Sequence, residues 1–110
     1  MSTPVSVVCL YRVIPGKEPA FTKLLERHWP TLRALDLVTG DPPQHYQGTE
    51  QGGGPLFVEI FTWKSAEGSR LAHEHPEVMA IWEPMGTLTE KRQGRPNMEF
   101  PHVQPLAVLG

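Results

Sequence analysis

Residues 5–14, Val-Ser-Val-Val-Cys-Leu-Tyr-Arg-Val-Ile, are β-branched or aromatic almost throughout and stop at Pro15-Gly16, which predicts a first strand. One parity holds Val5, Val7, Cys9, Tyr11 and Val13; the other holds Val8, Leu10 and Ile14 with Ser6 and Arg12. Both faces are largely apolar, as in a strand covered on both sides. The period then changes. Over 17–37, Phe21, Leu24, Leu25, His28, Leu32 and Leu35 form one stripe of an amphipathic helix, with Glu18 suited to its N-terminal dipole. Pro30 removes the bond to the Glu26 carbonyl and predicts a kink.

Gly40-Asp41-Pro42-Pro43 ends that helix, and Gln44–Gln51 reads as a weaker strand. Gly52-Gly53-Gly54-Pro55 makes a turn into Leu56–Trp63, the strongest strand in the chain, so the two strands form a hairpin. In the second of them Phe57, Glu59, Phe61 and Trp63 share one face, and Leu56, Val58, Ile60 and Thr62 the other. Ser65 is placed to cap a short helix running to about Glu74. Pro76 suits the first turn of a second helical piece, along which Val78, Ile81, Trp82, Met85 and Leu88 recur; Pro84 predicts a bend there. After a turn at Gly94–Asn97, Met98, Phe100 and His102 alternate as a last strand, with Pro101 marking an edge or a bulge. From Pro105 the tail is short and apolar, suited to packing on a neighbour or to fraying.

Strand, helix, strand, strand, helix, strand is the ferredoxin-like βαββαβ order, an α+β fold with an antiparallel four-stranded sheet and helices on one face. Two helical layers cover one face only. The opposite face, apolar on the first and third strands, needs a cover that the chain does not supply. A second copy packed sheet on sheet supplies it, so a homodimer is expected.

Composition narrows the function. With 110 residues there is room for one core. Lys+Arg 10 against Asp+Glu 12 leaves no basic stripe for nucleic acid. No apolar run is long enough for a membrane span, and the start Met1-Ser2-Thr3-Pro4 has no secretory pattern. The single cysteine, Cys9, forms no internal disulfide and reads as a buried small hydrophobe; a cytoplasmic location is expected. Gly52-Gly53-Gly54 lacks the Lys-Ser/Thr and the following helix of a phosphate loop.

The run Phe57-Val58-Glu59-Ile60-Phe61-Thr62-Trp63-Lys64-Ser65, followed by His73 and by His75-Pro76-Glu77-Val78, resembles the antibiotic biosynthesis monooxygenase domains of the dimeric α+β barrel superfamily. The resemblance covers roughly residues 5–103 and implies a single such domain over 1–110. It implies a small dimeric monooxygenase-like protein acting on an aromatic or quinol-type molecule without metal or flavin. The alternative is a non-enzymatic dimer of the same fold that binds a small hydrophobe. Haem-degrading relatives carry an Asn on the first strand, where this chain has Leu10-Tyr11-Arg12. They also carry a His near the position of Trp82. Polyketide-type relatives carry an Asn four residues before the strand-ending Trp, where this chain has Glu59.

The candidate site residues follow from the residue types. Glu59, flanked by Phe57 and Phe61, must be paired, hydrogen-bonded or raised in pKa if its face is covered. It is either a general base for a phenolic proton or the partner of an Arg or Lys. His28 on the apolar stripe is a satisfied core histidine or a second candidate base. His73 is a third, at the cavity mouth. Trp63 is a core aromatic or a cavity wall, and Tyr11, Trp82 and His75 are further substrate-binding candidates. On a helix His73 and His75 point too far apart to hold one ion, and no metal is expected.

Overall fold

The computed structural model describes residues 3–110. Along the chain run β1 (Val5–Arg12), α1 (Glu18–Ala34), β2 (Gln44–Thr49), β3 (Pro55–Trp63), α2 (Gly68–Ala72), α3 (Pro76–Thr87), β4 (Met98–Glu99) and β5 (His102–Val103). All strand pairs are antiparallel, in the order β2-β3-β1-β4, with β5 also on β1. This is the α+β, ferredoxin-like sheet of the sequence reading, with one refinement. The last strand is split into β4 and β5 on the same edge of β1. Pro101 sits between them; lacking an N–H it cannot donate, but its carbonyl accepts from Val8 N at 3.0 Å, so the ladder continues on one side.

Other differences are local. β1 ends at Arg12, and Val13 makes only an isolated bridge to Thr89. As the helical stripes that continue past them implied, Pro30 lies inside α1 and Pro84 inside α3. The carbonyls they leave without a helical partner belong to Glu26 and Ala80, both on exposed residues where water can reach. Ser65 does not cap α2. Its hydroxyl accepts from Glu67 N at 3.2 Å in a turn before the helix, whose N-cap is Glu67. The glycine turn is as expected: Gly52, Gly53 and Gly54 have φ of 97°, 99° and 100°, a region open to glycine at no steric cost.

The inner face of the sheet carries the core. Val7, Cys9 and Tyr11 of β1 and Phe57, Phe61 and Trp63 of β3 are buried against Phe21, Leu24, Leu25 and Leu32 of α1 and Val78, Ile81 and Met85 of α3. On the outer face Val8, Leu10, Leu56, Val58 and Ile60 are only half-buried. At one end of the sheet Glu50 binds Arg12 at 2.9 Å, Arg95 at 2.9 Å and Arg92 at 3.4 Å, which explains how Arg12 is buried without an unpaired charge.

Candidate active site

Glu59 is the centre of the inner face. Its position is dictated by β3: alternation puts it between Phe57 and Phe61, under α1, and it is 0% exposed. Three side chains converge on it. Tyr11 Oη donates to Oε1 at 2.8 Å, His28 Nδ1 lies 2.7 Å from the same oxygen, and His45 Nε2 lies 2.8 Å from Oε2. Among the described residues neither an Arg nor a Lys pairs with it; two histidines and a tyrosine take that role. Burial pushes the Glu59 carboxyl up, but the His28 imidazole and the hydrogen bonds from His28, His45 and Tyr11 outweigh it and bring it down to about 2. The His28 imidazole is the largest of these lowering influences, and the three hydrogen bonds act in the same direction. A raised carboxyl ready to take a proton is not what this geometry makes.

His28 reaches Glu59 because the apolar stripe of α1 faces the sheet. Its other nitrogen, Nε2, accepts from Trp82 Nε1–H at 2.8 Å. An indole N–H only donates, so Nε2 is the unprotonated nitrogen and the ring carries its proton on Nδ1, towards Glu59. Tyr11, buried between Phe21 and the sheet, has its hydroxyl pushed up by burial and then by the Glu59 charge, so it stays protonated. Burial, with the Glu59 charge second, likewise pushes the Cys9 thiol up, which keeps it a thiol.

Beside this network lies a cavity of about 380 Å³ between the sheet and α2–α3. Tyr11, His28, Trp63, Trp82 and His73 line it; Glu59 stands behind the first two and does not. Its other walls are chiefly Phe61, Phe100 and the methionines Met79, Met85 and Met98. His75 is not among the lining residues: Pro76 holds it in an extended conformation as the N-cap of α3. His73 is exposed at the rim, its Nδ1 2.8 Å from the Ser69 carbonyl and its ring edge-on to Trp82 at 4.7 Å. Trp63 is pinned by Gly68, where a β-carbon would overlap the indole ring. Its buried N–H finds no partner among the described residues. No group of three or more His, Cys, Asp or Glu among them is arranged to hold a metal ion.

The sequence reading did not single out His45, nor His102 and Ser69, which also line the cavity. For His45 a signal was present. Closing the hairpin at Thr49 and Pro55 counts back to His45 directly opposite Glu59.

Searches by sequence find no matching family model and no matching curated protein. Comparison of folds finds several. SnoaB, a cofactor-independent oxygenase from Streptomyces nogalater, superposes with a TM-score of 0.66 at 17% identity over 98% of each chain. A Bordetella bronchiseptica protein provisionally named an antibiotic biosynthesis monooxygenase superposes at 0.70, with 10% identity over 96% of this chain and 100% of that one. A NIPSNAP family protein from Agrobacterium tumefaciens superposes at 0.61, with 17% identity over 96% and 89%.

Proposed function

The chain has the antibiotic biosynthesis monooxygenase-like α+β barrel fold, and on that premise we propose that it is a small dimeric enzyme that takes the hydroxyl proton of an electron-rich phenol or quinol and lets the anion react with oxygen. The observation that carries this is the pairing of a buried carboxylate with a cavity-facing imidazole. Glu59 holds His28 by Nδ1 at 2.7 Å, and this leaves Nε2 as the basic nitrogen at the wall of an apolar cavity. His28 is then the base. Glu59, outside the cavity lining, is the positioning residue that fixes the tautomer and balances the imidazolium.

The Trp82 N–H marks the place of the phenolic O–H, which replaces it at Nε2. The Trp63 indole, which also lines the cavity, supplies an aromatic wall for the ring. An electron-rich phenolate supplies the electrons itself: one atom of oxygen enters the ring to give a quinone and the other leaves as water. Neither metal nor flavin takes part in that balance. A cavity of this volume suits a molecule of a few rings. His73, at the rim, contacts the ligand's outer end. A second copy covers the half-buried apolar strip of Val8, Leu10, Val58 and Ile60, and the exposed Leu106, Val108 and Leu109 of the tail add to the surface it meets.

Two observations favour a second reading, a dimer that binds a small hydrophobe without turning it over. Trp82 already occupies the basic nitrogen of His28, and the NIPSNAP neighbour has the same fold. Oxygen consumption with a panel of hydroquinones separates the two. Uptake above the buffer rate that is lost in His28→Gln supports the enzyme. Binding without uptake selects the binder.

A further inference from the structure

Glu59 joins two places that are otherwise separate. On one side of its carboxylate stands His28, buried at 2% exposure and lining the cavity. On the other stands His45, on the edge strand β2, with 40% of its side chain exposed. His45 lines a different, shallower recess with Thr22, Leu25 and Glu26 of α1 and Phe57 of β3. Each imidazole uses one oxygen: His28 Nδ1 meets Oε1 at 2.7 Å and His45 Nε2 meets Oε2 at 2.8 Å. A carboxylate accepts only, so both nitrogens carry protons. One negative charge is thus shared by two rings, one facing the cavity and one facing water.

We propose that His45 is the solvent-side proton carrier of the cavity: it releases a proton to water when His28 takes one from a cavity phenol, across the Glu59 carboxylate they share. The proposal rests on the reading of His28 as the cavity base. In the resting state the Glu59 charge is balanced by a protonated His45, and His28 is neutral. A phenol gives its proton to His28 Nε2. The His28 imidazolium, buried and in contact with Oε1, now balances the carboxylate. His45, no longer held by an uncompensated charge, loses its Nδ1 proton to water and keeps the Nε2–H bond. The sum is phenol to bound phenolate plus one proton in solution, and nothing passes through Glu59 itself.

Two further observations fit. The hydrogen bond to Glu59 raises the His45 imidazole above its ordinary range, against partial burial. The other titratable groups at His45 are Glu26, which lines the same recess, and Tyr46 on its own strand. Across the carboxylate stand His28, Tyr11 and Cys9, the last two held neutral by burial and the Glu59 charge. A His28 that charged alone would leave two imidazolium rings on one buried carboxylate, which a low-dielectric site resists.

The test uses the whole chain and 4-nitrophenol as probe, because its phenolate absorbs where the phenol does not. Calorimetry in two buffers of different ionisation enthalpy counts protons released on binding. Wild type is expected to bind the probe as phenolate and to release about one proton per site at a pH where free His45 is charged. In His45→Gln, whose amide still donates to Glu59 and which leaves no second imidazolium on the carboxylate, the bound phenolate should persist while the proton release vanishes. An equal proton release in wild type and His45→Gln would overturn the proposal and leave the cavity reading intact. A ring titration of His45 by NMR adds a ligand-free check. Its midpoint should drop in Glu59→Gln, and an unchanged midpoint would also overturn the proposal. Failure of the probe to bind would contradict the cavity reading, and the proton exchange with it.

Discussion

His28 turns Nδ1 to the Glu59 carboxylate at 2.7 Å and so presents Nε2 to the cavity, where the Trp82 N–H meets it at 2.8 Å. A carboxylate behind an imidazole fixes which nitrogen is basic and stabilises the cation that forms when it takes a proton. The chemistry proposed for this protein rests on that arrangement.

Removing the carboxylate separates its two roles. Glu59→Ala leaves the Tyr11 hydroxyl and His28 Nδ1–H buried without a partner and should cost about 3–5 kcal/mol. Glu59→Gln keeps an acceptor for both and should cost about 1–3 kcal/mol. If Glu59 positions the base, the Gln variant should still lose on the order of 10²-fold in turnover of any phenol that wild type consumes. Denaturant midpoints beside turnover rates check this. A Gln variant unchanged in both would remove Glu59 from the site.

Acid should weaken the fold through the same residue. The Glu59 carboxyl lies below its ordinary value, so its contribution is fully present above about pH 4.5 and is lost as pH falls towards about 2. His45 works in the opposite sense. Its imidazole is raised, so its contribution is present below its ordinary range and is lost as pH climbs through the raised value. The stability gap between wild type and Glu59→Gln, measured by denaturant, should therefore narrow from near-neutral pH to about pH 3. A gap independent of pH would mean that Glu59 is not held as a carboxylate.

Trp82→Phe removes the N–H from His28 Nε2 and keeps an aromatic wall. Stability should fall by about 0.5–1.5 kcal/mol. Phenol binding should tighten by up to roughly tenfold, because the ligand no longer displaces a hydrogen bond. Calorimetry with 4-nitrophenol reads this directly. Weaker binding in the variant would show that Trp82 contributes contact rather than competition.

Light scattering at micromolar concentration should give about twice the chain mass if, as proposed, a second copy covers the outer face of β1 and β3. Val58→Asp, at the middle of that face, should shift the population towards monomer while the isolated fold persists. A wild-type monomer of normal stability would leave the apolar strip without the cover assigned to it.

Much of this was legible along the chain. The alternation of β3 put Glu59 among Phe57, Phe61 and Trp63, and the stripe of α1 put His28 on the same side. Local periodicity also gave the glycine turn and the element order. The partners of Glu59 were harder. His45 follows from counting the hairpin, a short-range register. Tyr11 follows only from the pairing of β1 with β3, which places Cys9 opposite Glu59 and is set by tertiary packing. Trp82 and His28 come from different helices, and no spacing rule links them. The split of the last strand was visible as Pro101, but which edge it would join was not. The sense of the Glu59 shift depended on all these partners together. Burial alone argues for a raised carboxyl, and the His28 imidazole together with the three hydrogen bonds reverses it.

Whether His28 takes the ligand's proton can be read from the nitrogen NMR shifts of its ring. In the free protein they should report a neutral imidazole with its proton on Nδ1, bonded to Glu59. With 4-nitrophenol bound, both nitrogens should report protonation while the ligand's absorbance shows phenolate. A bound phenolate beside a His28 ring that stays neutral, with Nε2 unprotonated, would show that another group takes the proton.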